Sequence, residues 1–229
     1  MATSGTVAFN PAIGALTLYA FSLCGIRRTA ILQEHMADAR MAAGLMLTSW
    51  DNDTPNLWRV DLVTETLVEG TATYAVDPSV IMVLDAYIRT GEGDTQTDRI
   101  IWPVSRTEYA AYPNKELQAP PTSFWFDRLL SPTITMWPVP DGQQGYELHY
   151  YAVFQTQDAN LANGETADVP PRWLDAFSWG LAARLAVSYA PDRAVALDAK
   201  AKEALEIARQ QDVENTPMYL APAIGGYYR

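Results

Sequence analysis

The spacing of apolar residues changes from a helical to a strand pattern within the stretch Leu45-Met-Leu-Thr-Ser-Trp-Asp-Asn-Asp-Thr-Pro-Asn-Leu-Trp-Arg-Val-Asp-Leu-Val63. Upstream, apolar residues recur at spacings of four and three, which is typical of one face of a helix. This stripe comprises Leu32, Met36, Ala39, Ala43, Met46 and Trp50, and it predicts a helix over residues 30–50. Turn residues follow at 51–55, and a strand pattern begins at Trp58. We therefore expect helices before this stretch and strands after it.

A shorter helix is predicted on the N-terminal side of that stripe. Asn10 and Pro11 suit an N-cap and a first helical position, and Gly25 suits the end of the helix. The apolar face between them comprises Ile13, Leu16, Ala20 and Leu23.

Residues 58–154 are rich in β-branched and aromatic side chains, which favour strands. Strand patterns occur at 58–63, 80–89, just before Trp102, and at 124–126, 133–137 and 146–154. Residues 91–95 and the pair Asp141-Gly142 are typical turns between strands. Ser105 and Glu108 predict a capping box for a short helix through Ala111. We interpret the whole segment as an antiparallel meander.

Helices return after Pro170-Pro171, since Trp173, Phe177, Leu181 and Leu185 share one face. A last helix is predicted over 192–213. The sequence thus predicts an α+β fold, a helical bundle formed by the N- and C-terminal helices with an inserted antiparallel β-rich part and an extended C-terminal tail. The expected domains are a helical domain (1–57 and 170–214), a β-rich insert (58–169) and a C-terminal arm (215–229).

Composition narrows the class of protein. The formal net charge is −11, from 27 acidic and 16 basic residues, which disfavours tight binding to a phosphate backbone. No apolar run reaches the length of a membrane span, and the N-terminal residues lack the pattern of a secretory signal. We therefore expect no membrane partner, and synthesis in a cytoplasm.

The sequence contains few residues arranged for chemistry. Its single cysteine, Cys24, lies in an apolar stretch and is interpreted as packing, while His35 and His149 belong to different elements and form no zinc motif. The loop 158–168 resembles a calcium loop but has Ala162 at a ligand position. We expect no cofactor, no metal and no catalytic residue. The aromatic residues of the strand region suit either a core or a subunit interface; they are Trp102, Tyr109, Tyr112, Phe124, Trp125, Phe126 and Trp137.

The C-terminal arm is apolar but unsuited to a regular helix or a central strand, because it contains two prolines and two adjacent glycines. It either binds a partner through aromatic anchors or packs back on its own domain. The predicted partner-binding residues are Met218, Tyr219, Leu220, Pro222, Ile224, Tyr227, Tyr228 and Arg229.

Five motifs in this order resemble the head-to-tail connector (adaptor, or tail accessory factor) family of short-tailed phages, over about 38–209. They are Leu45-Met-Leu-Thr-Ser-Trp50 with Asn56-Leu-Trp58, Ser105-Arg-Thr-Glu-Tyr-Ala-Ala-Tyr-Pro-Asn-Lys115, Pro121-Thr-Ser-Phe-Trp-Phe-Asp127, Trp137-Pro-Val-Pro-Asp-Gly142 and Val169-Pro-Pro-Arg-Trp-Leu174. The resemblance implies a structural virion protein that is not an enzyme. It implies a twelve-copy ring under the portal protein, at the head–tail junction, assembled from monomers in the host cytoplasm. Such a ring extends the channel through which double-stranded DNA passes without specific binding.

The resemblance also implies a platform for tail proteins (nozzle, tube or fibre) and a C-terminal arm that binds the portal rim. Two alternatives stay open at the level of sequence. One is a tail-associated peptidoglycan hydrolase, which needs a pair of carboxylates facing a cleft. The other is a different ring or tube component of the tail.

Overall fold

Helices precede and follow the strands along the chain, in a computed structural model that describes residues 5–6, 9–53, 57–159 and 164–213. The α-helices of these ranges are α1 (Ile13–Leu23), α2 (Gln33–Asp51), α3 (Arg106–Ala111), α4 (Leu174–Tyr189) and α5 (Ala194–Gln211). The strands are β1 (Val60–Thr66), β2 (Thr73–Ala75), β3 (Val80–Thr90), β4 (Thr97–Pro103), β5 (Ser123–Asp127), β6 (Thr133–Trp137) and β7 (Tyr146–Phe154).

Four helices share one hydrophobic core, in which α4 is central because α1, α2 and α5 all pack against it. Their apolar stripes supply the buried side chains, including Phe21, Met46 and Phe177. Gly180 allows α2 to approach α4 closely, because a Cβ atom there would lie 2.6 Å from the Sδ of Met46. The helical stripes predicted from the sequence thus face the core, except at Leu32, which is the exposed N-cap of α2.

The ends of α1 illustrate how its sequence sets its length. Gly25 has φ +85°, the left-handed conformation that terminates a helix, so the predicted stop is confirmed. The start differs from the prediction, because Ala12 rather than Asn10 is the N-cap. The backbone N–H of Ile13 donates to the carbonyl of Glu165 at 2.8 Å, which anchors the first turn of α1.

The strands form one mixed sheet in the order β1-β7-β3-β4-β5-β6-β2. Most neighbours are antiparallel, but β4 and β5 are parallel, with Trp102 beside Ser123 and Pro103 beside Phe124. Parallel strands need a crossover connection, which residues 104–122 provide and which includes α3. The inner face of the sheet has its own hydrophobic core, separate from the helical one.

The sheet has to curl because its two edge strands are consecutive in the chain. Only residues 67–72 connect β1 to β2, and seven steps of about 3.5 Å span at most about 25 Å. A flat sheet of seven strands spaced by about 4.8 Å would place its edges about 29 Å apart. The hydroxyl of Tyr74 on β2 accepts from the Val68 N–H at 2.8 Å, directly after β1. The sheet is accordingly a curled half-barrel.

The predicted architecture, a helical bundle with an inserted antiparallel β-rich part, is therefore wrong. Individual strands occur where their patterns predicted them, and β6 and β7 have the predicted bounds. The error concerns pairing, since the sheet is mixed, curls into a half-barrel and has a core of its own. Alternating side chains indicate that a strand exists but not which strand lies beside it. The extended C-terminal tail lies outside the described residues.

Candidate interaction surfaces

The outer face of the sheet presents a continuous row of side chains across four strands. Thr64 on β1, His149 on β7, Tyr87 on β3 and Ile100 on β4 are successive partners in the ladder, so their side chains share a face. Trp102, two residues beyond Ile100, lies on the same face. Ile100 and Trp102 are 66% and 69% exposed. We call this the outer sheet face.

Polar contacts keep the centre of the outer sheet face rigid. The His149 ring stacks on Tyr87 with centroids 4.9 Å apart, and its Nδ1 lies 3.0 Å from the Thr64 hydroxyl. Arg89 binds both carboxylate oxygens of Asp98, at 2.7 and 2.8 Å. This hydrogen bonding raises the pKa of Arg89 and lowers that of Asp98. Exposed Ile100 and Trp102, flanked by these paired polar groups, make the outer sheet face a candidate contact surface, because interfaces have an apolar centre and a polar rim.

A second part of the sheet is covered by α3 through stacked aromatic rings. Tyr109 stacks on Trp125 with centroids 5.3 Å apart, and Tyr112 stacks on Trp137 at 3.9 Å. The Nε1 of Trp137 also donates to the carbonyl of Asn114 at 2.9 Å. The aromatic residues predicted as core or interface thus divide three ways. Phe124 belongs to the inner core and Phe126 packs against it, four rings attach α3, and Trp102 is exposed.

A groove runs along the side of α2 that faces away from the helical core. It has a volume of about 410 Å³ and is lined by Ala37, Arg40, Met41, Gly44, Leu45, Thr48, Asp158 and Ala159. Met41 and Leu45 are 65% and 56% exposed there. Sequence reasoning missed this α2 groove, although its signal was present, since both residues are apolar and lie off the predicted core stripe. Ile100 and Ile101, apolar side chains on both faces of β4, were a similar signal.

A third apolar surface lies between the start of α1 and α4. This groove, of about 460 Å³, is lined by Phe9, Pro11, Ala15, Leu16, Tyr19, Pro171, Leu174, Asp175 and Ser178. Phe9 and Tyr19 are exposed at its rim. Together with the outer sheet face and the α2 groove, it gives the molecule apolar contact surfaces on several sides.

The residues considered for chemistry have structural surroundings. The buried thiol of Cys24 donates to the carbonyl of Ala182 at 3.4 Å, and burial raises its pKa, as expected of a packing cysteine. His35 stacks on Tyr189, with centroids 4.8 Å apart, and its Nδ1 accepts from the Leu32 N–H. His149 belongs to the outer sheet face. The two histidines are therefore not brought together.

The structure describes only part of the loop 158–168. The last residue of this loop, Asp168, contacts residues next to the strands of the sheet. Asp168 accepts from the Gln157 N–H at 2.9 Å and pairs with Arg59 at 3.4 Å. Among the described residues no group of three or more His, Cys, Asp or Glu side chains could hold a metal ion. None of the helices in the described ranges is long and apolar enough to cross a membrane. The predicted partner-binding residues, 218–229, all lie outside the described ranges.

These observations define a class before any comparison is made. Exposed apolar surfaces on several sides of the described part of the chain are typical of a subunit that contacts other proteins. The family model described as SU10 adaptor protein matches residues 29–223, which is most of the chain. The chain belongs to this family of adaptor proteins. A search of curated proteins gave no match.

Membership confirms the resemblance stated above from the five sequence motifs. The protein is a phage adaptor, a structural component of the virion at the head–tail junction. Membership in this family also implies that the protein interacts with portal and tail proteins in general.

Proposed function

We propose that the chain forms a homo-oligomeric ring, of twelve copies, beneath the portal protein. In this proposal the ring extends the DNA channel and provides the platform to which nozzle, tube or fibre proteins of the tail attach. Copies are made and assembled in the host cytoplasm. Residues 1–57 and 170–214 act as the unit that faces the portal and the channel, 58–169 act as a second unit, and 215–229 act as an arm.

The observation that carries the proposal is the distribution of contact surfaces. A ring subunit needs different, complementary surfaces for its two neighbours, since contacts around a ring are heterologous. It needs further surfaces for whatever lies above and below. The α2 groove, the groove between α1 and α4 and the outer sheet face belong to different elements. This number of separate apolar surfaces exceeds what a subunit with a single binding partner requires.

Charge supports a channel through which DNA passes without specific binding. The chain carries 27 acidic and 16 basic residues. Binding to the phosphate backbone depends on clustered Lys and Arg, whereas a negative surface repels the duplex. Every copy in a ring carries this net charge of −11, so the assembled ring should let the duplex slide through rather than bind it.

The first experiment compares the mass of the chain alone with its mass in the presence of the isolated portal ring, by native mass spectrometry. We expect a monomer that becomes a ring of twelve copies on the portal. A chain that leaves the mass of the portal ring unchanged at micromolar concentration would contradict the proposal.

The arm has a prediction of its own. We propose that Met218, Tyr219, Leu220, Pro222, Ile224, Tyr227, Tyr228 and Arg229 bind the portal, so removal of 215–229 should weaken attachment by at least about thirtyfold. The reason is that losing even one aromatic anchor of an interface costs about 2 kcal/mol or more. The truncated monomer should keep the urea unfolding midpoint of the full chain, which serves as the control. Unchanged affinity for the portal would assign the arm to another role.

The peptidoglycan hydrolase considered above gains no support from the described residues. A general acid needs a raised carboxyl pKa. Among the described residues, hydrogen bonds lower the pKa values of Asp77, Asp98 and Glu108, which is the opposite of what a general acid needs. We therefore propose the structural role alone.

A further inference from the structure

The α2 groove contains a glycine, Gly44, in the interior of the helix. Glycine in a helix interior lowers helix stability, so it is usually kept for a close approach. At Gly180 the close approach is between two helices of the same chain, α4 and α2, because a Cβ atom there would lie 2.6 Å from the Sδ of Met46. A Cβ atom at Gly44 would have no atom of the described residues within 4 Å. Position 44 is therefore open, and a molecule that enters the groove can approach the α2 backbone closely there.

The groove also holds a cation, Arg40, which makes no hydrogen bond or ion pair with any described residue. Met41 and Leu45 form an apolar wall beside it, and the Asp158 carboxylate of the same lining is not paired with it. An arginine next to apolar side chains is suited to a carboxylate delivered by another molecule, because its planar fork binds both carboxylate oxygens. The complementary surface should thus be apolar with one acidic residue.

Helix α5 has such a surface on its solvent side. Val195, Ala199, Glu203 and Ile207 follow each other at intervals of four, and we call this row the α5 ridge. Val195 and Ile207 are 84% and 58% exposed. Glu203 is paired only with the exposed Lys200 of its own helix, at 2.7 Å. Such a surface pair contributes little, so Glu203 is available to a better partner.

The two surfaces match in geometry as well as in charge. The α2 groove runs between two rows of residues spaced by four, Ala37–Met41–Leu45 and Arg40–Gly44–Thr48. Ridges of this spacing pack into grooves of the same spacing when two helices cross at about −50°. The small Ala199 can then lie against Gly44 while Glu203 reaches Arg40. Both surfaces face away from the helical core of their own chain, because the buried residues of α2 and α5 lie on the opposite sides.

We propose that the α2 groove of one copy receives the α5 ridge of the next copy. The inference rests on the proposed function, since it assigns the contact between neighbours in the adaptor ring. The α2 groove and the α5 ridge are different surfaces of one chain. A row of bound copies therefore always has an unoccupied groove at one end and an unoccupied ridge at the other, so further copies can add until the ring closes. One ridge in one groove is small beside the roughly 800 Å² per partner of a stable interface. Such a contact forms readily only between copies already held on the portal.

The test fills the groove without disturbing the monomer. Gly44→Leu adds a side chain where the monomer has open space, so the variant should unfold at the same or a higher urea concentration than the natural chain. Titrated onto the isolated portal ring and followed by native mass spectrometry, the natural chain should give portals that are either empty or fully occupied. Gly44→Leu should give partial occupancies and need at least tenfold more protein for half saturation. Ser49→Leu, at an exposed position of the same helix outside the lining of the groove, is the matched control and should behave as the natural chain.

A charge exchange identifies the occupant. Arg40→Glu and Glu203→Arg should each weaken assembly, and the double variant should restore it, because only a direct contact is rescued by exchanging the charges. Full cooperative assembly of Gly44→Leu would overturn the inference. Failure of the exchange to restore assembly would show that another segment, from the portal or from 214–229, occupies the groove, which also overturns it. If the natural chain itself ignores the portal, the proposed function fails instead, so the two failures are distinguishable.

Discussion

The carboxylate of Asp51, the last residue of α2, accepts two hydrogen bonds from Thr156, which follows β7. The Thr156 hydroxyl lies 2.6 Å and its backbone N–H 3.0 Å from the carboxylate oxygens, and both residues are buried. Asp51→Ala would leave both donors without this acceptor, and an unsatisfied buried group costs about 1–3 kcal/mol. We expect the free energy of unfolding to fall by about 2–3 kcal/mol, measured by urea denaturation.

Two variants sharpen this prediction. Asp51→Asn keeps one oxygen acceptor at the same place and should lose less than Asp51→Ala. Asp61→Ala removes an exposed carboxylate from β1 and should change the free energy of unfolding by less than about 0.5 kcal/mol. Equal stability of Asp51→Ala and the natural chain would mean that this contact does not join α2 to the sheet.

At the scale of single elements, the short helix α3 depends on contacts beyond its own turns. Six residues are too few for a stable isolated helix. Its Tyr109 stacks on Trp125 of β5, so Trp125→Ala should loosen the helix on the sheet and leave the stack of Tyr112 on Trp137 as its remaining aromatic contact. We expect backbone amides 106–111 to exchange with solvent at least tenfold faster, measured by hydrogen–deuterium exchange, while α4 and α5 keep their protection. Trp102→Ala, which removes an exposed ring of the neighbouring strand, is the matched control. Unaltered protection of α3 in Trp125→Ala would refute the role of the stack.

Elements of this kind were predictable where their signal is local. The stripe of α2, the capping box of α3 and the β-rich composition of β7 each depend on residues of a single element. The structure has these elements where they were predicted, although Leu32 of the α2 stripe is exposed. Strand β2 was missed because three residues are too few to show a period. The parallel pairing of β4 with β5 was missed because it depends on side chains about twenty residues apart. The α2 groove was missed for a related reason, since an exposed Met41 is recognisable only once the core side of the helix is known.

At the scale of the whole molecule, the ionisation of buried and hydrogen-bonded groups sets the range of pH over which the fold is stable. Hydrogen bonds to Ser79, Arg89 and Ser105 lower the pKa values of Asp77, Asp98 and Glu108, respectively. A carboxyl with a lowered pKa in the folded state stabilises it above the usual pKa of about 4, and this contribution is lost as the pH falls below that value. The fold should therefore weaken in acid, with a urea midpoint lower at pH 3 than at pH 7.

Tyrosines limit the stability of the fold at alkaline pH. Burial raises the pKa of Tyr146 and of Tyr150 to about 12, and a hydrogen bond to Asp38 raises that of Tyr189 to about 12. At pH values below the ordinary tyrosine pKa of about 10, these tyrosines contribute fully to the stability of the fold, because each phenol is neutral in both the folded and the unfolded chain. Between about pH 10 and 12 the unfolded chain releases these protons while the folded chain holds them, so the urea midpoint should fall steadily over this interval.

Tyr150→Phe tests this assignment, because phenylalanine keeps the buried ring but has no proton to lose. The variant should have nearly the natural urea midpoint at pH 8 and a shallower decline from pH 10 to 12. Leu148→Ala, which removes apolar contacts from the same strand, should instead lower the midpoint equally at every pH. A decline in Tyr150→Phe as steep as that of the natural chain would place the alkaline sensitivity in other groups. A shallower decline would assign to Tyr150, buried in the core of the sheet, its share of the alkaline sensitivity, and would leave the remaining slope to Tyr146 and Tyr189.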